Sequence, residues 1–267
     1  MPMVEVNGTS LYYEDTGPGS TGETIAFSHG LLWGTELFAP QIAALRARYR
    51  CVAWDHRGQG KSAADHRHAI PMELVWQDAV SLLAHLAITR THFVGLSMGG
   101  FVGMRIASRQ PALVDKLILI ETSADPEPRE NVARYRLLSS VVRALGPRPV
   151  ASRVGPIMLG RSIMADSARR DEVAGYIKVM TRRRDVWKAV NGVIDRAPIP
   201  RWELSQIRAP TLVIVVDEDV ATRIEKAEAI VAAIGGATLA VVPRAGHSST
   251  VEEPAEVTRC IQTFLER

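Results

Sequence analysis

Gly95-Leu96-Ser97-Met98-Gly99 sets one hydroxyl between two glycines, each two positions away. The apolar run "THFVGL" leads into it and the helical pattern "MGGFVGMRIASRQ" leads out. A strand–turn–helix of this kind holds a serine on a sharp turn, and the flanking glycines remove the side chains that would clash there. The hydroxyl then stands at a helix N-terminus, whose free N–H groups favour developing negative charge. The chemistry on offer is nucleophilic attack by Ser97.

A serine hydroxyl reacts only when a base takes its proton. Of the seven histidines, His29, His56, His66, His68, His85 and His92 precede Ser97, and only His247 follows it. His247 lies in "RAGHSS", directly after the last apolar run. The base needs an acid to hold its tautomer and stabilise its cation. The order Ser, acid, His points to "VVDEDVAT", where Asp217, Glu218 and Asp219 all qualify by type. Asp219 is favoured, because it stands further out on the loop and can reach across to a neighbouring one.

These residues need elements that bring them together. "SLYYED" alternates and reads as an edge strand, while "ETIAFSHG" and "RCVAWDHRG" read as buried strands. Between those two, "ELFAPQIAALRARY" has helical spacing, with Phe38, Ile42 and Leu45 on one face. "PMELVWQDAVSLLAHL" is a second helix, and "DKLILIET" follows the serine-bearing helix as a strand. The rhythm returns in "APTLVIVVDED", "IEKAEAIVAAIGG" and "ATLAVVPRAGH". It closes on "EPAEVTRCIQTFLER", whose Val257, Ile261, Phe264 and Leu265 form one stripe. Strand–helix alternation of this kind predicts an α/β fold with a mostly parallel sheet covered on both faces.

Residues from about 125 to 204 break the rhythm with helical segments and no convincing strand. From Asp125 to Glu203 there are sixteen Lys+Arg against nine Asp+Glu, a net of +7 that leaves −4 for the rest of the chain. The expected division is therefore a core of 1–124 and 205–267 with a helical insertion, 125–204. A net charge of +3 is too small to point to nucleic acid. No apolar stretch approaches a membrane span, and the first residues have no secretory pattern, so a cytoplasmic protein is expected. Cys51 and Cys260 read as reduced core thiols; no Cys/His spacing resembles a metal site, and no cofactor is expected.

"HGLLWG", "DHRGQGKS", "GLSMGG", "PTLVIVVDEDVAT" and "AGHSSTVEEP" occur in the order and approximate spacing of the α/β-hydrolase superfamily. The chain most resembles its esterase, 3-oxoadipate enol-lactonase and cofactor-free haloperoxidase branch. The resemblance implies an eight-stranded, mostly parallel sheet with a helical cap inserted after the sixth strand. It supports Asp219 as the acid and implies that the backbone N–H groups of Leu31 and Met98 form the oxyanion hole. It also makes Asp55 and Arg57 of "DHRGQGKS", with His29 and Gly30, structural residues. The chain departs from the branch at Val216, where glycine is frequent, and at Arg223, where proline is.

The implied activity is hydrolysis of a carboxylic ester or lactone, with no metal, no nucleic acid and no membrane as partner; a homodimer is left open. C–C bond hydrolysis of a vinylogous diketone, perhydrolysis by the same residues, and ligand sensing without turnover are the alternatives. Trp33, beside the oxyanion loop, is a candidate for substrate binding. Leu137, Leu138, Val141, Val142, Met158, Leu159, Met164 and Trp187 either line an acyl pocket or pack the inserted helices together. "TRRRD" reads as a solvated helix face rather than as a carboxylate receptor.

Overall fold

The apolar runs become strands, the central ones, Thr24–Ser28, Arg50–Trp54, Thr91–Leu96, Val114–Ile120 and Thr211–Val216, largely buried on both sides, as in a sheet covered by helices. In the computed structural model, which describes residues 2–267, they are β1 (Met3–Val6), β2 (Thr9–Asp15), β3 (Thr24–Ser28) and β4 (Arg50–Trp54). β5 (Thr91–Leu96), β6 (Val114–Ile120), β7 (Thr211–Val216) and β8 (Thr238–Val242) follow. They form one eight-stranded sheet in the order β1-β2-β4-β3-β5-β6-β7-β8. β1–β2 and β2–β4 pair antiparallel and every other pair is parallel.

The two-residue period sorts the side chains into two cores. Ile25, Phe27, Leu212, Ile214 and Val216 face one side, against α1 (Ala39–Leu45) and α12 (Pro254–Leu265). Ala26, Phe93, Val213 and Val215 face the other, against α2 (Met72–His85), α3 (Met98–Arg109) and α10 (Ile224–Ala233). The stripe of Val257, Ile261, Phe264 and Leu265 on α12 is buried throughout.

Between β6 and β7 the chain is helical only: α4 (Arg129–Leu145), α5 (Ala151–Met158), α6 (Arg161–Ala165), α7 (Arg170–Met180), α8 (Trp187–Ile194) and α9 (Arg201–Leu204), with two 3-10 turns. The short α11 (Ser249–Glu252) precedes α12. Among the described residues no helix is long and apolar enough to cross a membrane.

Three readings of the sequence are corrected. "SLYYED" is not an edge strand: β2 is paired on both sides, and β1 is the edge. The signal was Asn7-Gly8, whose φ values of 47° and 69° make the tight turn that a two-residue hairpin requires. "ELFAPQIAALRARY" is not one helix but a 3-10 turn, Thr35–Phe38, followed by α1. Pro40 has no N–H to bond back into the preceding turn, so the α-helix starts beside it. "TRRRD" is not a helix face; it links α7 to α8, where Arg182 pairs with Glu36 at 2.8 Å and Arg183 donates to the carbonyls of Gly60 and Ser62.

Candidate active site

The loops after β3, β5, β7 and β8 converge at the carboxyl ends of the parallel strands, where open α/β sheets form their clefts. Ser97 caps α3 with φ 50° and ψ −110°, a left-handed conformation that costs a non-glycine residue about 1–3 kcal/mol. Its N–H donates to the Ile120 carbonyl at 2.8 Å, and its own carbonyl accepts from the Thr122 hydroxyl at 2.7 Å, so the turn is held from β6. A Cβ at Gly95 would stand 2.4 Å from the Gly99 carbonyl oxygen, and one at Gly99 would stand 1.8 Å from that of Ser28. Any larger residue at either position would force the turn open.

His247 Nε2 lies 2.8 Å from Ser97 Oγ, and His247 Nδ1 lies 2.7 Å from Asp219 Oδ2. The second Asp219 oxygen accepts the N–H groups of Ala221 (2.7 Å) and Thr222 (3.0 Å), which fixes the carboxylate's plane. The Asp219 side chain is fully buried and that of His247 nearly so. Burial alone would lower the imidazole pKa, but the charge and hydrogen bond of Asp219, with Glu252 and Glu127 beyond, outweigh it and raise the pKa above the ordinary 6.5.

The three acids of "VVDEDVAT" separate by where their carboxylates go. Asp217 accepts the Arg244 N–H at 2.7 Å, in the turn leading to His247. Glu218 accepts from the backbone and hydroxyl of Ser162 and from Arg161. Only Asp219 meets the imidazole. Val216 ends β7 in register with Val242, and Arg223 precedes α10 as its N-cap at φ −71°, a backbone angle that proline would share.

Leu31 and Met98 stand on either side of Ser97, in the loop after β3 and at the first residue of α3. Among the described residues neither N–H has an acceptor, and Met98, in the first turn, cannot find one inside its helix. Leu32, at φ 73°, turns the loop, and its N–H donates to Gln59 Oε1 at 2.9 Å. Gln59 Nε2 meets the Met98 sulfur at 3.6 Å, so one buried amide ties together the two loops that carry Leu31 and Met98. Beneath them His29 Nε2 accepts the His56 N–H at 2.9 Å, and its Nδ1 lies 2.6 Å from the Gly30 carbonyl. Its two ring nitrogens are thus occupied in bracing. Asp55 accepts the N–H groups of Thr35 (2.7 Å) and Lys61 (2.6 Å), and buried Arg57 bridges Asp65 and Asp78.

Ser97 and His247 lie at the base of a cavity of about 170 Å³. Its walls are largely apolar, Leu31 and Phe101 coming from the sheet side and Leu138, Val142, Val154 and Val190 from the helices between β6 and β7. Of the eight apolar residues singled out in that segment, Leu138, Val142 and Met158 reach the cavity; Leu137 and Met164 face solvent, and Leu159 is core.

Trp33 does not line this cavity, contrary to the expectation from its place in the sequence. Its indole is 1% exposed, lies edge-on to Tyr176 and donates to Ser248 Oγ at 3.2 Å. An indole N–H must find an acceptor when buried, and here it finds one on the residue after His247.

Sequence reasoning passed over two carboxyls. Glu252 accepts the N–H groups of Gly160 (2.7 Å), Gly246 (3.1 Å) and Ser248 (3.1 Å), clamping the histidine loop. Glu121 follows β6 at φ 48°, is 1% exposed, and neither of its oxygens has a partner. An acid ending the otherwise apolar "LILIE" was its only signal.

Residues 25–259 match the model of the alpha/beta hydrolase family. A protein of Variovorax paradoxus (strain S110) named as the carbamate hydrolase RutD is 30% identical, over 96% of both chains. The enol-lactonase from Burkholderia xenovorans LB400 superposes with a TM-score of 0.90 at 28% identity, covering 100% of both chains. A thermophilic esterase from Thermogutta terrifontis gives 0.90 at 27%, covering 100% of this chain and 98% of the other. The chain is a hydrolase and belongs to the alpha/beta hydrolase family.

Proposed function

We propose that this hydrolase cleaves carboxylic esters or lactones bearing an apolar acyl group, through an acyl-enzyme on Ser97. Residues 125–204 act as a cap over a core of 1–124 and 205–267. The observation that carries the reading is the hydrogen-bonded line Asp219–His247–Ser97 ending at an apolar cavity.

Ser97 Oγ attacks the acyl carbon while its proton passes to His247 Nε2. Asp219 holds the other ring N–H and stabilises the imidazolium. The carbonyl electron pair moves onto oxygen, which accepts the N–H groups of Leu31 and Met98. The tetrahedral adduct collapses as His247 returns the proton to the departing alcohol oxygen; in a lactone that oxygen stays tethered to the acyl chain. Water then repeats the steps on the acyl-enzyme and releases the acid. Each oxyanion donor contributes about 3 kcal/mol of barrier lowering.

A carbamate, as the name of the Variovorax relative suggests, suits the same proton path. The apolar walls favour a carbon acyl chain over a small polar carbamate. The three arginines of "TRRRD" stand outside the cavity; Arg153, Arg196 and Lys226 line it, and of these Arg196 is paired with Glu127 and Lys226 with Asp125.

The test is a panel of p-nitrophenyl esters from acetate to decanoate, with matched lactones and carbamates. The kcat/KM should rise from acetate to mid-length acyl chains, and Ser97→Ala should lower it by about 10³ or more. A phosphonate inhibitor should label the peptide that contains Ser97. Undiminished turnover by Ser97→Ala refutes the mechanism, and faster turnover of carbamates than of every ester refutes the substrate class.

A further inference from the structure

Glu121 is a buried carboxyl that the proton path above leaves unused. One carboxylate oxygen of Glu121, one of Asp219 and a ring nitrogen of His247 all lie within 4.8 Å of one another. Three elements bring acids to this point: Glu121 follows β6, Asp219 follows β7, and Glu252 ends α11. Asp219 is saturated by three donors and Glu252 by three backbone N–H groups. Glu121 has none, although the Ser249 side chain and backbone face it.

Two adjacent carboxyls in a dry site do not both ionise. Burial, and then the charge of Asp219, with Glu252 adding, push the Glu121 carboxyl well above the usual carboxylate range. Glu121 therefore holds its proton more tightly than an ordinary carboxylic acid.

From this arrangement we infer that Glu121 is a reserve acid for His247, placed to take over the imidazole N–H when the Asp219 carboxylate is removed. The left-handed backbone at Glu121, φ 48°, supports the assignment, since such strain in a non-glycine residue is concentrated at functional sites. With Asp219 truncated, Glu121 releases its proton to solvent and its carboxylate accepts the Nδ1–H of His247. The inference rests on the reading of Ser97 and His247 as the reacting pair.

The experiment measures kcat and KM for p-nitrophenyl butyrate between pH 5 and 9. It compares the full-length protein with its Ser97→Ala, Asp219→Ala and Asp219→Ala/Glu121→Gln variants, each checked for folding by circular dichroism. Asp219→Ala should retain a residual kcat that the double variant lowers by a further factor of about ten or more. That residual rate should rise with pH as Glu121 ionises, a limb absent from the double variant. KM should be alike in both. If Gln at 121 prevents folding, Glu121→Met, of similar length and without polar atoms, takes its place. Equal kcat and equal pH profiles with and without Glu121, or no rate above background in Asp219→Ala, overturn the inference. An active Ser97→Ala would instead overturn the mechanism on which it rests.

Discussion

Removing the Gln59 side chain should slow the chemistry more than it weakens binding. Gln59 is 1% exposed and does not itself line the Ser97 cavity, yet its Oε1 accepts the N–H of Leu32, which does, and its Nε2 meets the Met98 sulfur. In Gln59→Ala the Leu32 N–H loses its acceptor in a partly buried turn, at a cost of about 1–3 kcal/mol. For a chain of this length that lowers Tm by several degrees, at about 2–4 °C for each kcal/mol. Leu32 is next to Leu31 and sits at φ 73°, so relaxation of its turn swings the Leu31 N–H away from the oxyanion position. Complete loss of one donor costs about 3 kcal/mol, and half of that, about 1.5 kcal/mol, is a tenfold fall in kcat. The assay is steady-state hydrolysis of p-nitrophenyl butyrate, with KM expected to stay within about twofold. Gln59→Glu keeps an acceptor for Leu32 and should recover part of the kcat. A lowered Tm with unchanged kcat refutes the argument, because it makes Gln59 a support for the fold alone.

Two further outcomes follow from charges already described. His247 must be neutral to accept the serine proton, so kcat/KM should fall as pH drops through the raised pKa of the imidazole. Asp219→Asn is made in a Glu121→Gln background, so that no reserve acid can replace it. It removes the largest charge raising that pKa and leaves burial opposed only by the more distant Glu252 and Glu127. The acid limb of the pH profile should therefore move to lower pH while kcat drops by about 10⁴; a limb that stays in place refutes the assignment. Arg57→Leu should destabilise the fold by about 3–5 kcal/mol in urea unfolding, because it strands buried Asp78 without a cation and leaves Asp65 only the half-exposed Arg67. A loss below about 1 kcal/mol means that those carboxyls find other partners.

Much of the sheet was readable because β3, β5, β6 and β7 are buried on both faces and so leave continuous apolar runs. The pairing of Ser97, Asp219 and His247 follows from chain order and loop position, features that need no coordinates. Trp33, Gln59, Glu121 and Glu252 were misread or passed over for one shared reason. What surrounds each is distant in the chain: Trp33 reaches Ser248, 215 positions away, Glu252 reaches Gly160, 92 away, and Glu121 lies beside Asp219 and His247. Burial and partnering of such polar groups are properties of the packed molecule, and residue type alone does not separate a bracing tryptophan from one lining a pocket. The β1–β2 hairpin was missed for a different reason: Asn7-Gly8 was legible, but the four-residue strand before it is too short to show periodicity.

Residues 160–162, at the start of α6, touch both loops that hold the proton path. Gly160 donates to Glu252, which clamps the histidine loop, and Ser162 donates to Glu218, whose neighbour is Asp219. This short segment is thus tied to the loop of the base and to the loop of the acid at once. A change that displaces it loosens both loops together, so the spacing of imidazole and carboxylate depends on a helix that carries neither.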